Sequence, residues 1–107
     1  MKTILKALVA MMALALIFST YVFADAGADT FKAKCAACHG PDGSGNTTMG
    51  KNLKLRDLGS ADVQKQSDDE LTTIITKGKG GKMPAYDGKL TKDQISDVVK
   101  YIRSLKK

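Results

Sequence analysis

The sequence predicts an all-α domain of three to four short helices. Apolar residues recur at helical spacing in the second half of the chain, and a Ser/Thr-x-x-Glu/Gln signature precedes each of the two clearest runs. No alternating run is long enough to seed a sheet, and no internal repeat or low-complexity tract is present beyond a short glycine loop.

The first residues are of a different kind. Lys2 and Lys6 precede the uncharged run Ala7 to Phe18, and Ser19 to Ala24 follow before the first acid, Asp25. This is the layout of a cleavable export signal over residues 1–24, with Val22-x-Ala24 offering small residues at a cut site and Ala24-x-Ala26 a second one. The 18 uncharged residues between Lys6 and Asp25 also just suffice to cross a bilayer, so a retained anchor is the rival reading. Membrane contact is expected only in that case. No cysteine follows the apolar run, which argues against an attached lipid.

Cleavage leaves residues 25–107 as one domain of 83 residues, too few for two cores. A chain this small needs a staple. Cys35 and Cys38 are too close in sequence for a disulfide between them to close a useful loop, so an attached group explains more. The domain carries 15 basic and 11 acidic residues, a formal charge of +4. That excess is too mild to indicate nucleic acid, and no basic stripe interleaved with aromatics supports it.

Ala28 to Ala37 reads as the first helix, with Phe31 and Cys35 four apart on one face. Gly40-Pro41-Asp42-Gly43-Ser44-Gly45-Asn46 ends it in a loop. Ser60 to Gln66 suggests a short helix. Ser67 then stands three residues ahead of Glu70, and Leu71, Ile74 and Ile75 follow at helical spacing up to Lys77-Gly78, a cation in the last turn and a glycine beyond it. Thr91 and Gln94 repeat the capping device, and Ile95, Val98, Val99, Ile102 and Leu105 mark one apolar stripe, so the last helix runs from about Lys92 to Leu105. Between these two helices, Lys79 to Gly88 cannot be helical because of its glycines and Pro84.

The chemistry concentrates in Cys35-Ala36-Ala37-Cys38-His39. Two cysteines three positions apart on a helical turn reach the two vinyl groups on one porphyrin edge, and the histidine beside the second falls under the iron. Cys35 and Cys38 are therefore expected to attach one haem c by thioether bonds, with His39, the sole histidine, as proximal iron ligand. A redox dithiol would want a strand before the motif and a sheet around it. Zinc would need a fourth strong ligand, and no further cysteine or histidine exists.

The sixth iron position decides between a haem that binds small ligands and one that passes electrons. Outside the leader only Met49 and Met83 carry a thioether sulfur. Met83 sits before Pro84 in a glycine-rich loop and not on an apolar helical face, so local chemistry favours it over Met49.

Taken together, these motifs resemble the class I c-type cytochromes, especially the small bacterial and photosynthetic carriers. The likeness spans nearly all of 25–107: Gly27 and Phe31, Cys35-x-x-Cys38-His39-Gly40, Lys82-Met83-Pro84-Ala85-Tyr86, and Val98-x-x-Tyr101-Ile102-x-x-Leu105. The resemblance implies helices wrapped around one covalent haem. It also implies that the first and last helices cross where Gly27 lets Tyr101 approach and Phe31 packs beside Val98, and that Met83 is the distal ligand. One departure concerns the proline whose carbonyl, in many relatives, orients the histidine; here the neighbourhood reads Gly50-Lys51-Asn52-Leu53.

These features imply a periplasmic or otherwise exported, monomeric one-electron carrier and not an enzyme. Transient donor and acceptor proteins would dock near the haem edge, through a basic ring of Lys32, Lys34, Lys77, Lys79 and Lys82. The rivals are an electron-transfer subunit of a membrane-associated oxidoreductase complex and a haem-based ligand sensor or peroxidase.

Overall fold

The computed structural model describes residues 26–107, so the expected leader lies outside the described residues. Six helical segments follow one another: α1 (26–34), α2 (Ala36–His39), α3 (Thr48–Leu53), α4 (Ala61–Gln64), α5 (Asp68–Lys77) and α6 (Lys92–Ser104). Among the described residues there is no strand, only two isolated bridges, Lys79 with Met83 and Asp87 with Leu90.

The first expected helix, Ala28 to Ala37, is in fact two pieces. At Cys35 the backbone leaves regular helix with φ −117° and ψ −30°, and α2 restarts one residue later. Both Cys38 N–H and His39 N–H then donate to the Cys35 carbonyl, at 3.3 and 3.0 Å, which winds the motif into a tight turn. Gly40, at φ 82°, ends α2 in the left-handed region that glycine tolerates.

Helix α3 was not expected from the sequence, because Thr48 to Leu53 has no apolar periodicity and contains Gly50. Thr47 makes it. Its hydroxyl accepts from Gly50 N–H at 2.8 Å and donates to the Cys38 carbonyl at 2.7 Å, so one side chain caps α3 and ties it to α2. Gly50 is required there, since a Cβ would run into the carbonyls of Gly45 and Cys38. Ser67 caps α5 by accepting from Glu70 N–H at 3.1 Å, and Thr91 with Gln94 closes a complete capping box on α6.

The core gathers α1, α4, α5 and α6. Phe31 and Val98 are its two fully buried large side chains, with Leu71, Ile75, Ile95 and Ile102 around them. The Phe31 and Tyr101 rings pack at 4.9 Å between centroids. At the crossing of α1 with α6, a Cβ on Gly27 would collide with the Asp97 carbonyl and sit 3.4 Å from the Tyr101 Cβ. The crossing implied by Gly27, Phe31, Val98 and Tyr101 is thus present. Arg103, which carried no signal in the sequence, binds the short α4 region to α6: its guanidinium donates to the Gln64 carbonyl at 2.9 Å and to Asp68 Oδ1 at 2.9 Å.

Replacing Gly27 with Ala adds about 1 kcal/mol of helix propensity but forces α1 off α6. We expect the collision to win and the domain to lose about 1–3 kcal/mol. Urea unfolding of the haem-loaded protein checks this.

Candidate functional site

The core side chains leave a cavity of about 440 Å³ between α1, α2, α5 and the loops, within the ~300–1,000 Å³ typical of cofactor pockets. Phe31, Cys35, Cys38 and His39 line it from α1 and the turn into α2, and Leu71 and Ile75 from α5. The loop after α5 contributes Met83, Pro84 and Tyr86. The structure therefore brings Cys35, Cys38, His39 and Met83 to one cavity, although 44 positions separate His39 from Met83. Met49 is absent from that lining and is 51% exposed on α3.

Cys35 lacks the thiol activation that dithiol redox chemistry uses. Burial, helped by the neighbouring Cys38, pushes the Cys35 thiol up to about 11, whereas reactive redox cysteines are held below their ordinary value. Neither cysteine is in a disulfide. Among the described residues no three His, Cys, Asp or Glu side chains cluster as a metal cage would require.

His39 suits an iron. Burial lowers its pKa and keeps the imidazole neutral, the form that ligates metal. Its backbone is fixed on both sides: the carbonyl accepts from Gly45 N–H at 2.7 Å, and the preceding carbonyl of Cys38 is held by Thr47. Its Nδ1 is buried and meets no hydrogen-bond partner among the described residues. A buried ring nitrogen left without a hydrogen bond costs about 1–3 kcal/mol in a purely structural site. A covalent haem fits this set of residues.

Met83 owes its place to backbone geometry. Lys79 and Met83 exchange both N–H···O bonds, at 3.1 and 3.2 Å, around Gly80 and Gly81, whose φ values of 61° and 69° no side-chain-bearing residue adopts cheaply.

Five cations stand along the cavity lining, Lys34, Lys54, Arg56, Lys79 and Lys82, and no carboxylate. Of the expected basic ring, Lys34, Lys79 and Lys82 are there, while Lys32 and Lys77 are exposed but do not border the cavity. Lys54 and Arg56 were missed. Their signal is the alternation Leu53-Lys54-Leu55-Arg56, four successive residues that all face the same space. Tyr86, which also lines the cavity, donates its hydroxyl to the Lys34 carbonyl at 2.8 Å, a contact across 52 positions that sequence spacing does not reveal.

Comparison with known proteins agrees with this architecture. A family profile described as cytochrome c oxidase, cbb3-type, subunit III, matches residues 23–102. The chain is 39% identical over 79 residues to cytochrome c6 of Leptolyngbya boryana, covering 74% of this chain and 88% of the relative. Against cytochrome c6 of Picosynechococcus sp. it is 36% identical over 111 residues, covering 95% and 92%. It is also 37% identical over 82 residues to the cbb3-type cytochrome c oxidase subunit FixP of Azorhizobium caulinodans, where the match covers 74% of this chain and 26% of the relative. The chain thus spans about a quarter of the length of its FixP relatives. Among solved structures, the KustC0563 c-type cytochrome superposes with a TM-score of 0.70 at 32% identity, covering 76% of this chain and 98% of that one.

Proposed function

This chain belongs to the class I c-type cytochromes, whose prosthetic group is a covalently bound haem c, and from that premise we propose that it is an exported one-electron carrier with His39 and Met83 as axial ligands. The observation that carries the reading is the convergence of Cys35, Cys38, His39 and Met83, from two distant segments, on one cavity. Haem supplies reversible one-electron chemistry at its iron.

The chain's own residues do the rest. Cys35 and Cys38 would hold the haem by thioether bonds. The imidazole of His39, presented from α2, would hold the iron on one side. The Met83 thioether would hold it on the other, and a thioether ligand favours the ferrous state. With both positions so held, no open coordination site would remain for a substrate, which disfavours a sensor or peroxidase. Phe31, Leu71 and Ile75, which line the cavity, would exclude water from the bound group, and exclusion of water keeps reorganisation small.

The cationic lining suits an acidic face on donor or acceptor, with Lys34, Lys79 and Lys82 joined by Lys54 and Arg56. In this reading the leader, residues 1–24, is removed after Ala24 or Ala26 and the protein diffuses as a monomer. A second reading, an electron-transfer module held in a membrane oxidoreductase complex, is favoured by the family profile and the FixP similarity. Partition of the exported protein between soluble and membrane fractions separates the two.

In the matured ferric protein, Met83→Ala is expected to abolish the weak red-edge charge-transfer band of sulfur ligation and to lower the midpoint potential, while Met49→Ala changes neither. Retention of the band in Met83→Ala removes the assignment. Association with an acidic redox partner should slow as ionic strength rises, as stopped-flow mixing at several salt concentrations would measure. Rates independent of salt would exclude steering by the cationic lining.

A further inference from the structure

The loop carrying Met83 is well tied to itself and to α5. Lys79 and Met83 close its hairpin, and beyond Pro84 the N–H groups of Tyr86 and Asp87 donate to the Ile75 and Thr76 carbonyls, each at 3.1 Å. Gly78 permits that close return, because a Cβ there would press on the Met83 carbonyl and on Ala85 N. None of these bonds reaches the helix that leads into Cys35.

Among the described residues one hydrogen bond does. The Tyr86 hydroxyl donates to the Lys34 carbonyl at 2.8 Å. That carbonyl is available because of the break at Cys35: in an unbroken helix it would accept from Cys38 N–H, which turns instead to the Cys35 carbonyl. The irregularity that shapes the haem-attachment turn therefore also frees an acceptor, one residue before the first cysteine, for the loop bearing the candidate sixth ligand.

We infer that Tyr86 is a positioning residue, whose hydroxyl latches the Met83 loop to the end of α1 and so holds the Met83 sulfur on the iron against competing ligands. This rests on the axial ligation proposed above. The Tyr86 ring lines the cavity and packs against the core, and the Lys89 ammonium stands 5.9 Å from its centroid. Those roles belong to the ring. The latch belongs to the oxygen alone, so Tyr86→Phe isolates it.

An exogenous ligand binds only when the loop has lifted, so its apparent affinity follows the population of the lifted state. Losing one hydrogen bond between loop and helix should raise that population about three- to tenfold. The test is an imidazole titration of ferric wild type, Tyr86→Phe and Met83→Ala, read by loss of the sulfur band or, in Met83→Ala, by the Soret shift, with urea unfolding of each in parallel. The latch predicts about three- to tenfold tighter imidazole binding in Tyr86→Phe. A residue that merely stabilises the fold would lower the urea midpoint and leave imidazole affinity within about twofold of wild type, which overturns the inference. If wild type shows no sulfur band, the ligation reading falls and the latch with it. If wild type shows the band, Met83→Ala loses it and Tyr86→Phe titrates like wild type, the latch alone falls.

Discussion

Much of this structure answers to one constraint: a small domain keeps a partly open, largely apolar space of about 440 Å³ beside its core that its own side chains do not fill. Apolar walls left facing water in such a space would forgo burial that a domain this small can ill spare. The polypeptide is therefore built to close around something. In the proposed reading, covalent attachment at Cys35 and Cys38 would make that occupant part of the fold and remove the risk of losing it by dissociation.

Around the cavity the chain spends its limited apolar material at two places. Phe31, Val98 and Ile102 lock α1 against α6, and Leu71 and Ile75 hold α5 to that pair. The remaining segments have little apolar surface of their own and are held by polar devices. Thr47 bridges α2 and α3, Arg103 and Gln64 draw the α4 region onto α6, and the Tyr101 hydroxyl reaches the Pro41 carbonyl at 3.1 Å to steady the loop after the haem motif. Such bonds position the loops, and the loops carry the chemistry.

The division between what was legible in the sequence and what was not follows the same physics. Helices α5 and α6 were legible to within a residue or so, because apolar periodicity and capping residues are local signals. The haem motif and the Met83 loop were legible because their residue types and spacing are themselves the chemistry. The break at Cys35 was hidden, since the segment has ordinary helical composition and the irregularity arises from turning the motif toward the cavity. Helix α3 was hidden for the opposite reason: it exists through the contact of Thr47 with Cys38, nine residues away, and has no periodicity. Lys54 and Arg56 were passed over because an alternation of only four residues is too short to read as one wall of a site.

The central claim is that the chain itself occupies both faces of the haem iron, His39 from the helical motif and Met83 from the loop, so that electrons and not substrates pass. Exposure of the reduced, matured protein to carbon monoxide at neutral pH tests it most directly. The account predicts that the ferrous absorption spectrum is unchanged over minutes, because no coordination position is open. Rapid conversion to a carbon monoxide adduct in the wild-type protein would contradict it.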